Sequence, residues 1–168
     1  SRDVTERRQA EEELRARLEF DSLIAEISSA IANADAASLD DTIRDALASI
    51  GRRVGAERVF VAESLQERGA LYVRHEWHAD ERLPIAPSLQ HVPYERFPWL
   101  MSNLYEHGWA TIGRCSDLPL EAASERAWIE AWNLERAVAV RLAARGRFLG
   151  FINCCFETTP QRPLEEDL

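Results

Sequence analysis

The groups with most chemical reach in this chain are three cysteines, four histidines and five tryptophans. Cys154 and Cys155 adjoin in the apolar run "FINCC", and Cys115 stands alone. A thiol must ionise to attack or to ligate, and apolar surroundings raise its pKa. The adjacent pair therefore points to structural cysteines, facing opposite ways if the run is a strand. The Cys-x-x-Cys spacing of zinc sites is absent. His75 and His78 flank Glu76-Trp77. Residues three apart on a strand face opposite sides, so these rings do not share a metal. His91 and His107 have no histidine or cysteine partner near in sequence. No Ser-His-Asp set, phosphate-cradling glycine loop or paired-carboxylate motif stands out. No catalytic residue, metal or cofactor is assigned. Trp77, Trp99, Trp109, Trp128 and Trp132, with Tyr94 and Phe97, form an aromatic-rich middle. Rings of this kind either wall a pocket for a flat ligand or fill a core. For Trp128 and Trp132 packing is the expectation.

Positioning these groups requires helices at the start. Ala10, Leu14 and Leu18 make a narrow stripe. Phe20, Leu23, Ile24, Ile27 and Ile31 make a second one, roughly 120° around a continuous helix. The first is expected to meet a partner helix and the second the domain's own body. A further helix is signalled by the capping pair Ser38 and Asp41, by the stripe Leu39, Ile43, Leu47, Ile50 and Val54, and by Gly55 as its stop.

The period then changes to two. "ERVFVAESL" and "LYVRHEWH" predict strands. In the latter, Leu71, Val73, His75 and Trp77 share one face, and Tyr72, Arg74, Glu76 and His78 the other. Residues 79–95 contain Pro84, Pro87 and Pro93 and predict a long surface connection. A helix from Pro98 presents Phe97, Leu100, Met101, Leu104 and Tyr105. "WATIG" is a short strand, and a helix runs from near Pro119 to about Trp132. "ERAVAVRLAA" and "RFLGFINCCFE" are strands joined at Arg145-Gly146, the last apolar on both faces. "PLEEDL" predicts the first turn of a truncated final helix.

Composition narrows the partners. A net charge of −9 on 168 residues disfavours nucleic acid. No run of eighteen apolar residues predicts a membrane span. The chain opens charged and without Met, as expected of an excised segment. Three sparse cysteines suit a reducing cytoplasm.

The residues also resemble known families. "RDVTERRQAEEEL" at 2–14 resembles the end of a PAS domain running into a signalling helix. From about residue 20, "GAERVFVAES", "HEW", "FPWLMSNL", "DLPLEAASERAW" and "GRFLGFINCCFE" resemble GAF domains of bacterial diguanylate cyclases and histidine kinases. The resemblance implies an α+β sandwich: an antiparallel sheet with terminal helices on one face and middle helices and loops on the other. It divides the chain into 1–19, the PAS end and coiled-coil helix, and 20–168, the GAF domain. It implies a cytoplasmic sensory module for an unidentified small molecule, without enzyme activity of its own. Its cavity is expected to be lined by His75, Trp77, Tyr94, Phe97, Trp99, Leu100 and Trp109. A parallel homodimer is expected along Ala10, Leu14 and Leu18. The alternatives are a thiol enzyme of the free methionine sulfoxide reductase type and a ligand-free dimerisation spacer. Bilin-binding members attach chromophore through a Cys commonly followed by His, whereas Ser116 follows Cys115 here. The Asn-Lys-x-Phe-Asp-Glu motif of cyclic-nucleotide-binding members is absent.

Overall fold

The computed structural model describes residues 2–33, 36–80, 82–112 and 118–157. The chain begins with one unbroken helix, α1 (Arg2–Asn33). At 1.5 Å per residue it is roughly 48 Å long. Ala10, Leu14 and Leu18 are exposed, whereas Phe20, Leu23, Ile24, Ile27 and Ile31 turn toward the body, as the two stripes predict. The motif Asp3–Arg8 lies inside this helix.

Helix α2 (Ala36–Val54) buries Ile43, Ala46, Leu47 and Ile50. It ends where Gly55 takes φ 71° and Ala56 N–H bonds back to the Gly51 carbonyl at 3.0 Å. A residue with a Cβ adopts that conformation only at a cost. Val54 ends the stripe 41% exposed. The side chains of Ser38 and Leu39, and the segment "PLEEDL", lie outside the described residues.

Six antiparallel strands follow: β1 (Arg58–Leu65), β2 (Ala70–His78), β3 (Val92–Pro93), β4 (Trp109–Ile112), β5 (Leu134–Ala144) and β6 (Arg147–Glu157). Their order in the sheet is β3-β2-β1-β6-β5-β4. The last strand is thus central, which is why it is apolar on both faces. Between β3 and β4 stands α3 (Pro98–Glu106), and α4 (Ala123–Ala131) precedes β5. The β5–β6 hairpin turns at Arg145 and Gly146, both at positive φ, as a tight antiparallel turn demands.

Two cores sit on the two faces. Val59, Val61, Ile152 and Cys154 meet α1 and α2. Phe60, Ala62, Phe151 and Cys155 meet α3, α4 and the 82–97 connection. The helix placement expected from the sequence is therefore observed.

The β1–β2 pairing is irregular. His75 opposes Val61, but Ala62 opposes Val73, so Arg74 is an extra residue and the strand bulges. An extra residue reverses which face later side chains occupy. Leu71 and Val73 consequently join the α3/α4 core, while Trp77 packs with the α1/α2 core.

Candidate functional site

On the α3/α4 face the sheet and its cover enclose a small cavity of ≈ 40 Å³. Such a volume holds a few water molecules. Its walls are mostly rings and aliphatic chains, including Phe60, Phe97, Trp128 and Phe151. Trp128 meets Phe60 and Phe97 edge-on, each at 6.3 Å between centroids. Edge-to-face contacts of this kind fix ring orientation.

Two polar side chains break the apolar lining, Glu125 from α4 and Asn153 from β6. Helix α3 has Phe97 at its N-cap, which offers no side-chain cap. Glu125 supplies one from α4: its Oε1 accepts the Leu100 N–H at 3.0 Å. Its Oε2 is buried and has no hydrogen-bond partner among the described residues, and neither has Trp128 Nε1.

The connection over the cavity is held by a buried charge network. Arg58, fully buried, donates from Nη1 to Glu76 at 2.5 Å and from Nε to Glu157 at 3.1 Å. Arg82 also donates to Glu157. Glu76 in turn accepts the Ile85 N–H at 2.8 Å. The network is not fully satisfied: Arg58 Nη2 and Arg82 Nε are buried with no partner among the described residues. Its ion pairs pin the start of the connection to the sheet.

The residues expected to line the cavity divide into three groups. Phe97 and Leu100 line it. Tyr94 and Trp99 pack beside it within the same core, with the Tyr94 hydroxyl bonded to Ser64. His75, Trp77 and Trp109 do not belong to it. Trp109 is 57% exposed on the edge strand, where Ala110 and Ile112 turn inward instead. Trp77 lies over Gly51 of α2. His75 bonds Asp40 of α2 at 2.7 Å, and its Nδ1 stands 4.0 Å from Glu63. The expectation that His75 and Trp77 share a face with Leu71 and Val73 is thus corrected by the Arg74 bulge. Glu76 is corrected with them, facing the α3/α4 core rather than solvent.

Three site residues escaped sequence reasoning. Asn153 carried a signal, as a polar residue inside an unbroken apolar strand. Glu125 carried a weaker one: it shares a helix face with Ala122 and Ile129, both buried. Arg58 carried none, since a strand-initial arginine is ordinarily solvated.

The described thiols offer no nucleophile. Burial pushes Cys154 up to about 12 and Cys155 well above its ordinary value. Cys115 lies outside the described residues. No described helix is long and apolar enough to cross a membrane.

No protein-family model matches the sequence, and no curated protein matches it. Solved structures do resemble the fold. The phycocyanobilin-bound GAF domain of a cyanobacterial phytochrome matches with TM-score 0.60 at 17% identity, over 87% of this chain and 84% of that one. The blue-light absorbing form of the Thermosynechococcus elongatus PixJ GAF domain gives 0.55 at 12%, over 73% and 71%. A GAF/HD domain protein from Geobacter sulfurreducens gives 0.55 at 16%, over 73% and 79%. The chain has the GAF fold.

Proposed function

We propose that this chain is a non-enzymatic sensory module that binds a small molecule between the sheet and the α3/α4 layer. The observation that carries the reading is a buried carboxyl oxygen, unpartnered among the described residues, at an apolar cavity. Pockets of that composition, mostly apolar with a few convergent polar groups, are the usual form of a ligand site. Solved domains of this fold that hold a bilin lend support. Covalent bilin attachment is not part of the reading, because Ser116 follows Cys115. Native mass spectrometry of the purified protein tests it: a retained small molecule supports the proposal, and Trp128→Ala should release it.

The signal would pass to α1, which packs on the opposite face of the same sheet. In this reading 1–19 is a cytoplasmic signalling helix after a PAS domain, and 20–168 is the GAF domain. The output is of the diguanylate cyclase or histidine kinase kind. Leu14 and Leu18, 59% and 60% exposed, would pair with a second copy together with Ala10. Apolar residues one turn apart on an exposed helix face are the pattern by which helices pair. Sedimentation at tens of micromolar, roughly where a weak short coiled coil still pairs, should show a dimer. Deleting residues 1–18 should leave a folded monomer.

The small cavity favours a second reading, a dimerisation spacer that binds nothing. A dimer that retains no small molecule and melts unchanged across a ligand screen would decide for it.

A further inference from the structure

We infer that the cavity is specific for a planar heterocycle presenting a ring N–H to Glu125, admitted past a partition of Leu89, Phe97 and Trp128. This rests on the reading of the cavity as a ligand site. Glu125 is 2% exposed, and its Oε1 is taken by the Leu100 N–H. Its Oε2 has no donor among the described residues. An acceptor left unsatisfied in an apolar setting is costly, so an occupant that brings a donor is favoured. Trp128 stands three residues on, hence on the same side of α4. Its Nε1–H is likewise buried and without an acceptor. The Oε2 atom asks for a donor and the Nε1–H for an acceptor. The rings of Phe60, Phe97 and Phe151 supply flat apolar walls for the rest of the molecule.

Access follows from a second pocket of ≈ 360 Å³ outside the first, lined in part by Arg96, Ser124 and Trp132. Leu89, Phe97 and Trp128 line both pockets. These three side chains are therefore the partition between an outer pocket wide enough for a ring and an inner cavity that is not. Admission of a ring would require Phe97 or Trp128 to turn aside.

Indole and benzofuran test this on the unmodified protein. They share one bicyclic shape, but benzofuran carries an oxygen where indole has its N–H. Titration by ligand-observed NMR should show indole binding about tenfold tighter or more, as one satisfied buried acceptor gives. Glu125→Gln keeps an oxygen for the Leu100 N–H while turning an amide NH2 into the cavity. It should abolish or reverse the preference, with a melting curve confirming that it folds. Equal binding of both probes to the unmodified protein would overturn the donor assignment and leave the cavity a ligand site. Failure of both probes to bind up to millimolar concentration, with the Trp128 Nε1 resonance unmoved, would overturn both readings.

Discussion

On the α1/α2 face of the sheet, Ile27, Ile43, Leu47, Ile50 and Ile152 are each 1% exposed or less. A Cβ added at Gly51 would lie 2.1 Å from the Trp77 ring, so no space remains there. On the α3/α4 face, larger rings line a cavity, and Arg58 Nη2, Arg82 Nε, Glu125 Oε2 and Trp128 Nε1 are buried with no partner among the described residues, against His75 Nδ1 on the other face. The cover differs as well. One face carries two helices of 32 and 19 residues. The other carries two helices of nine residues each, together with 3-10 turns at Ala86–Ser88, Tyr94–Arg96 and Leu120–Ala122. Dense packing transmits displacement and tolerates little change. Loose packing with unsatisfied groups is where stability is given up for binding. Under the proposed function, the first face would transmit and the second would recognise.

The largest effect expected is on the dense face. Trp77→Ala removes an indole packed over α2 and should cost about 3 kcal/mol, the lower end for a large core truncation because the ring is partly exposed. Chemical denaturation measures the loss, and binding at the opposite cavity should survive in the folded fraction. Loss of binding at unchanged stability would instead put Trp77 in the site and break the comparison.

A matched pair of one- and two-carbon additions sharpens it. Gly51→Ala should destabilise by about 1–3 kcal/mol, because the Trp77 ring must move. Ala139→Val, on a strand and at the cavity wall, should stabilise by about 0.5–1 kcal/mol as it fills space, while weakening ligand binding. Midpoints of urea unfolding report both. Equal destabilisation by the two would mean that both faces are packed alike.

Much of this division was legible in the sequence. Ile43, Leu47 and Ile50 at helical spacing, with Gly55 after them, fixed α2 and its buried side. The double-sided apolar pattern of 147–157 marked the central strand. What failed was the phase of β2. Leu71, Val73, His75 and Trp77 alternate without interruption, and pattern alone cannot reveal that Arg74 is unpaired. The same limit hid Glu125, whose role is to cap a helix distant in sequence. Tyr105 was expected on the apolar face of α3 and is 51% exposed, because a nine-residue helix buries only a narrow strip. Periodicity records which side of an element is apolar. It carries nothing about bulges or about partners from another segment.

The smallest effect expected lies at the rim of the dense face. The hydrogen bond from His75, and then its charge, hold the exposed Asp40 carboxyl below its ordinary 3.8. A carboxyl lowered by folding stabilises the folded state above its unfolded pKa. That contribution is complete above pH 3.8 and is lost as pH falls through the lowered folded value. Asp40→Asn removes it at every pH. Denaturation of the two proteins between about pH 2 and pH 6 (the span of ordinary carboxyl titration) should therefore show a gap. The unmodified protein should be the more stable at the upper end, and the two curves should converge at the lower. Added salt should narrow the gap, since the carboxylate faces solvent. A gap that stays constant with pH would mean that Asp40 acts through packing rather than charge. Ligand binding at the cavity should be the same in both proteins throughout, because the pair stands on the far side of the sheet. A change there would show that the α2 rim and the cavity are coupled.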